Sequence, residues 1–348
     1  IIVGFIVPGI ASLGSKSGKG LLITTIVAYL STLLAGFAAY LIGAGILPKL
    51  ISGSIALSEE GQTIEPYFTI EIPAIMGVMS ALTLAFILGI GLSKIKNSAM
   101  LKVVDEFNKI VLMIVTNVLI PLVPIYIGCV FAKLSYSGEI FNTLKSFGIV
   151  YILLFSLQLA YILIQYCIAG AIKKENPFKL IKNMIPAYMT AVGTQSSAAT
   201  IPVTLECVKK NNISEEVLDF VVPLGATIHL AGDTITLVLT SMAVMYMNGQ
   251  TPTFGMIMPF IFMLGVTMIA APGVPGGGVM AALGLLESML GFGAVEKPIM
   301  IALHAAQDSF GTATNVTGDG AIAIIVDYII NKRKSNSAQN ESNESIIA

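Results

Sequence analysis

Both histidines of this 348-residue chain stand four places ahead of an aspartate, His229 before Asp233 and His304 before Asp308. On a helix that spacing lays the two side chains on one face. Asp308 then opens a row with Thr312, Asn315 and Asp319, a single polar stripe along a segment that is otherwise apolar. A carboxylate such as Asp308 can hold an ammonium through charge-assisted hydrogen bonds. The Asn315 amide can hold a carboxylate, and the Thr312 hydroxyl can serve either. Asp319 with backbone carbonyls suits a hard cation such as sodium, which takes oxygen ligands. Ser196 and Ser197, inside the run GTQSSAAT (193–200), add hydroxyls and backbone N–H groups; at a helix N-terminus these favour an anion such as a carboxylate. The run GVPGGG (273–278) can bring bare backbone close to a ligand. Each histidine reads either as a proton carrier, since imidazole titrates near neutral pH, or as a countercharge that neutralises its aspartate and helps packing. Other chemistries lack their residues. There is no Cys/His cluster for zinc, no phosphate-binding loop and no base-activated nucleophile, so neither an enzyme nor an organic cofactor is expected.

These residues must be held inside a lipid layer. Of the chain, 55% is hydrophobic and 11% charged, with a mean hydropathy of +0.86, whereas a soluble domain carries about 25% charged residues. The near balance of 19 basic and 20 acidic residues excludes a basic nucleic-acid binder and an acidic disordered chain. Cys129, Cys167 and Cys207 have neither disulfide-framework nor zinc-ligand spacing. Apolar runs over 20–47, 72–93, 107–133, 146–172, 217–248 and 296–331 meet the requirement of about 20 residues per membrane helix, and they are too long for barrel strands. The class is an all-α polytopic membrane protein. Residues 1–14 are apolar from the first, without a basic leader, and read as the end of a membrane helix whose upstream sequence is missing. Lysines at 16, 19, 94, 96, 102, 173, 174, 179 and 182, and the cluster 332–334, fall on one side if the runs alternate. By the positive-inside rule that side is cytoplasmic, and so is the C-terminus. The Ser-, Asn- and Glu-rich tail, 335–348, reads as disordered.

Two segments do not fit as spans. Residues 183–208 have lysines at both flanks, so the segment enters and leaves on one side, with arms of about ten residues that reach half-way across at about 1.5 Å per residue. Residues 253–298 are interrupted by Pro272, Gly273, Pro275, Gly276, Gly277 and Gly278, which will not continue a helix. Both read as re-entrant hairpins with polar tips near the midplane; a tight loop outside the membrane is the alternative for 272–278. Each hairpin is followed by a long helix bearing a His–Asp pair. A mirrored pair of interrupted segments points to a binding site at an inverted-repeat interface.

Four blocks, TQSSAATIPVT (194–204), PLGATIHLAGD (223–233), GVPGGG (273–278) and NVTGD (315–319), resemble the signatures of the dicarboxylate/amino acid:cation symporter family, the glutamate-transporter family. Their order and spacing match over essentially the whole chain. The resemblance implies a homotrimer in the plasma membrane, each protomer with a trimerisation scaffold and a mobile transport domain that works as an elevator. It implies remaining scaffold and transport-domain helices over 1–172, from the end of the second helix to the sixth. The core transport domain would then be 173–331, with hairpin 1, a broken helix 7, hairpin 2 and helix 8, followed by a cytoplasmic tail over 332–348. It further implies Ser197, Val274, Pro275 and Gly276 as substrate contacts, Asp308 as the ligand of the substrate amino group, and Thr312 and Asn315 as further contacts. Backbone oxygens of Gly225, His229 (where the family has Asn) and Asn315, with the Asp319 carboxylate, would hold one sodium. Backbone oxygens of Thr227, Met268, Ile269 and Ala271 would hold a second.

Departures from the family pattern bear on substrate and coupling. Members that take acidic substrates carry an arginine where this chain has Gly311, and some carry one where it has Gln195. A bidentate clamp on a side-chain carboxylate is then missing, and the expected substrate is a small neutral amino acid such as serine, threonine or alanine. The closest likeness is to the serine/threonine:sodium branch, in a prokaryote. Ala231 replaces the carboxylate of a third sodium site, so fewer sodium ions are expected per substrate. Asp233, where the family has Thr, is an added acid at the substrate pocket that could pair with an ammonium, pair with His229, or carry a proton. Proton coupling through His229–Asp233 or His304–Asp308 and uptake of a dicarboxylate or acidic amino acid stay open, as does a different class, an ion channel or non-transporting sensor.

Overall fold

The structure, a computed structural model, describes residues 3, 7, 11, 19–51, 78–95, 98–114, 117–118, 120–136, 140–269, 271 and 273–347. Among these there is no strand, in line with the all-α reading. The first helices are α1 (Lys19–Leu50), α2 (Val78–Ser93), α3 (Ala99–Ile114), α4 (Ile120–Tyr136) and α5 (Ile140–Lys173). Then come α6 (Pro177–Thr194), α7 (Ser197–Lys209), α8 (Glu215–Ile228), α9 (Ala231–Met247), α10 (Phe254–Met268), α11 (Gly277–Leu290) and α12 (Glu296–Ile347).

Among the described residues four segments, Leu22–Leu50, Phe147–Lys173, Val217–Met247 and Glu296–Asn331, are long and apolar enough to cross a bilayer. The third runs through α8 and α9 and is the most buried of the four; a helix apolar all round belongs at the centre of a bundle. Along α1, by contrast, Leu22, Ile26, Leu30, Leu34 and Leu41 form an exposed apolar row, the surface that hydrocarbon covers. The run expected to be continuous over 107–133 is divided, since α3 ends at Ile114 and α4 starts at Ile120. Pro121 follows at once, in the first turn of α4, where proline is tolerated. Of the run expected at 72–93, the first residues lie outside those described.

Helices α6 and α7 pack side by side as a hairpin, and so do α10 and α11. Asn176 caps α6 by accepting the Phe178 N–H at 2.9 Å, with Pro177 in the first turn. The helix stops where Gln195 turns left-handed, at φ 52°, and donates its N–H to Ala191. Ser196 is extended and caps α7, its hydroxyl accepting the Ala199 N–H. The arms have 18 and 13 residues, longer than the ten expected, because the helix already starts at Pro177. In the second hairpin Gly276, at φ 71°, opens α11 in a left-handed conformation that favours glycine. The exposed link between α7 and α8 holds a Lys209–Glu215 pair at 2.7 Å, whose hydrogen bond keeps the Glu215 carboxyl below its ordinary range and the Lys209 amine above its own.

Two apolar cores result. One gathers α9, α10 and α11 with Ile299, Met300 and Leu303 of α12. The other gathers α6, α7 and α8 with Ala313, Val316 and Ile322 of the same helix. The polar residues 304–312 of α12 lie between them. Beyond the bundle the backbone stays helical to Ile347, through the tail expected to be disordered; no glycine or proline follows Gly320 to stop it.

Candidate functional site

The hairpin tips touch. The Ser196 hydroxyl donates to the Gly273 carbonyl at 2.6 Å, and the Ala198 N–H reaches the same oxygen at 3.4 Å. Behind this contact is a small cleft lined by Gln195 and Ser197 of the first hairpin, Gly273, Val274 and Gly278 of the second, Leu230 and Asp233 at the start of α9, and Asp308, Thr312 and Asn315 of α12. Of the residues expected at the site, Ser197, Val274, Asp233, Asp308, Thr312 and Asn315 thus share one cavity. Ser196 turns its hydroxyl to the opposite tip instead. Gly276 contributes its N–H to Asp308 at 2.7 Å, and Pro275 lies beside it in the tip, outside the lining.

The expected His–Asp pairs do not form; the partners are crossed. His304 Nε2 meets Asp233 Oδ1 at 2.6 Å, and His229 Nδ1 meets Asp319 Oδ1 at 3.0 Å, with all four residues buried. His229 and Asp233 are not on one helix, because the chain breaks at His229 and Leu230, whose φ angles are −113° and −115°. Spacing of four residues implies a shared face only where the helix is continuous. Asp308 does share α12 with His304, but its oxygens take the Gly276 N–H and the Thr312 hydroxyl, the latter at 3.4 Å. Ligand atoms of Asp233, His304 and Asp308 come within 4.8 Å of one another.

Asn315 is committed too. Its amide donates to Asp233 Oδ2 at 2.5 Å and accepts the Gly232 N–H at 2.7 Å. The carboxylate it holds is therefore one of the chain's own. Gly278 lets α11 reach Asp233, since a Cβ there would stand 2.6 Å from Oδ1.

Gln307, whose stretch Gln307-Asp308-Ser309 resembles the serine/threonine:sodium branch, forms a neutral network beside the cleft with two side chains that sequence reasoning missed, Gln158 and Thr236. Gln307 donates to Gln158 at 2.8 Å and accepts from Thr236 at 2.5 Å, while Gln158 donates to Thr236 at 3.2 Å. A Cβ at Gly311, the position expected to lack an arginine, would face Gln307 and Thr236, both uncharged. The chain's single arginine is Arg333, in the tail. A signal was available, because Gln158, Tyr161 and Gln165 make a polar stripe of helical spacing in the apolar α5.

Asp319 lies apart from the cleft. Its carboxylate packs on the backbone of Gly225, where a Cβ would be 2.7 Å from Oδ1. Of the residues expected around a second cation, Met268 ends α10, Ile269 caps it and Ala271 follows, while Thr227 is exposed in the last turn of α8. The two ends are neighbours, since a Cβ at Gly273 would be 3.0 Å from the Ala226 carbonyl. Converging helix C-termini present carbonyl oxygens with partial negative charge.

A model of the sodium:dicarboxylate symporter family matches residues 1–329. The chain belongs to that family. Membership, with four segments apolar enough to cross a bilayer, makes it a multi-pass membrane protein of a transporter family and not an enzyme. Among similar proteins, excitatory amino acid transporter 1 of Ambystoma tigrinum is 32% identical over 178 residues, 51% of this chain and 32% of that protein. The Homo sapiens protein of the same name is 32% identical over 159 residues, 45% and 29%. An excitatory amino acid transporter of Caenorhabditis elegans is 25% identical over 290 residues, 81% and 57%. For this symporter-family chain the matched part is thus about a third of the length of the first two relatives.

Proposed function

We propose that the protein is a secondary active transporter that moves a small neutral amino acid into the cell together with sodium. The observation that carries this is the state of Asp308. Of the two carboxylates in the cleft, Asp233 has an imidazole and an amide, whereas Asp308 has only one N–H and one distant hydroxyl. An ammonium group supplies the missing cation. The substrate carboxylate is then directed to the N-terminal end of α7, where Ser197 lines the cleft. A second carboxylate on the substrate would face two acids and a neutral network with no arginine, which supports serine, threonine or alanine.

Sodium coupling is supported by the family, and the paired C-terminal ends of α8 and α10 (Thr227, Met268, Ile269, Ala271) suit such an ion. The two hairpins act as re-entrant gates whose tips close over the substrate. Residues 173–331 move as the transport domain against a scaffold within 1–172, in a homotrimer, by an elevator mechanism. The lysine-rich loops and the C-terminus face the cytoplasm of a prokaryotic cell.

The names of the relatives favour a second reading, uptake of an acidic amino acid. In proteoliposomes holding the full-length protein, an inward sodium gradient is expected to drive concentrative serine, threonine or alanine uptake. Unlabelled aspartate and glutamate should compete poorly. Better uptake of aspartate or glutamate would establish the second reading, and equilibration without accumulation would indicate a channel.

A further inference from the structure

Three carboxylates are buried among the described residues, and both imidazoles of the chain are committed to two of them. The His229 ring is built in. Its Nδ1 faces Asp319 Oδ1 at 3.0 Å, and because a carboxylate only accepts, this nitrogen donates. Its Nε2 lies 3.0 Å from the Ser31 hydroxyl, which also accepts the Gln165 amide at 2.9 Å, and the Tyr161 hydroxyl donates to the Ser31 carbonyl at 2.5 Å. The ring thereby ties α12 to α1 and α5. Glycines make the slot. A Cβ at Gly318 would be 2.7 Å from the ring's Cε1, and one at Gly225 would be 2.7 Å from Asp319 Oδ1.

We propose that the His229 imidazole stands where a transported sodium would sit on Asp319, so that this carboxylate is not a sodium ligand and the ion it would bind is not carried. A hard cation needs oxygen lone pairs, whereas Asp319 is met by an N–H donor in close packing. The sodium site expected at Gly225, His229, Asn315 and Asp319 does not fit these residues. The Gly225 carbonyl is engaged as well, accepting the His229 N–H at 2.9 Å. The inference deepens the reading of the protein as a sodium symporter and rests on it.

Equilibrium binding of radioactive sodium to the purified full-length protein tests it. The substitution His229→Asn, which supplies an oxygen and vacates the slot, is expected to bind one more sodium ion per chain than the wild type. It should also move one more sodium per substrate in proteoliposomes. Equal sodium counts in the two proteins would overturn the inference. If His229→Asn does not fold, His229→Ser offers an oxygen in the same space. On the wild type alone, histidine ¹⁵N signals are expected to stay put when saturating sodium is added without substrate, and a sodium-dependent shift at His229 would overturn it. If the wild type accumulates no amino acid, the transport reading fails, while the binding counts still decide the role of His229.

Discussion

Asp308 meets the Gly276 N–H from one side and faces a cavity on the other. Asparagine in its place keeps an oxygen for that N–H but loses the charge that an ammonium needs. A hydrogen bond to a charged group contributes about 1.5–3 kcal/mol, so Asp308→Asn is expected to weaken substrate binding about 10- to 150-fold. Its melting temperature without substrate should stay near that of the wild type, so binding calorimetry and thermal unfolding together separate a ligand role from a structural one. Asp233 differs in kind. With His304 on one oxygen and Asn315 on the other, it is held by groups of the protein itself, which supports the proposal that an ammonium is left to Asp308.

The elements converge through contacts that only small residues allow. Gly232 of α9 lies so close to α12 that a Cβ would be 2.3 Å from the Gly311 carbonyl and 2.9 Å from Thr314 Cβ. Overpacking of this kind costs about 1–3 kcal/mol or more. Because the atom in closest approach belongs to the backbone, Gly232→Ala should lower thermal stability and separate Asn315 from the Gly232 N–H, measured as a lower melting temperature with reduced substrate affinity. At the hairpin tips Ser196 does two jobs, capping α7 and holding Gly273. Loss of a serine cap costs about 1 kcal/mol, and Ser196→Ala also releases the opposite tip. Faster reaction of a cysteine placed at Val274 with a water-soluble thiol reagent is the expected outcome, and an unchanged rate would mean that the tips are held by other contacts.

At the scale of the molecule, α12 joins two apolar cores and carries its polar residues at the seam. The membrane topology proposed from the lysines makes a direct prediction. In a background with Cys129, Cys167 and Cys207 replaced, a cysteine at Asn212 should react with a membrane-impermeant reagent only from the cytoplasmic side, and one at Gln250 only from outside. Labelling of both from one side would refute the alternating arrangement.

Much of this was legible from residue order. Gln195, Ser196 and the glycines and proline of 273–278 interrupt helices through local backbone preference, so the two hairpin tips could be located before any packing was known. The α12 stripe was legible for the same reason, since helical spacing alone lines up Asp308, Thr312, Asn315 and Asp319. The hairpin arms and the tail ran longer than composition suggested, because helices continue until a residue stops them. Pairing was a different matter. Which imidazole meets which carboxylate depends on how α9, α11 and α12 approach one another and on the direction His229 takes at the break before α9. Contacts between residues 71 or 90 places apart are set by the tertiary packing of whole helices, which no interval along the chain encodes.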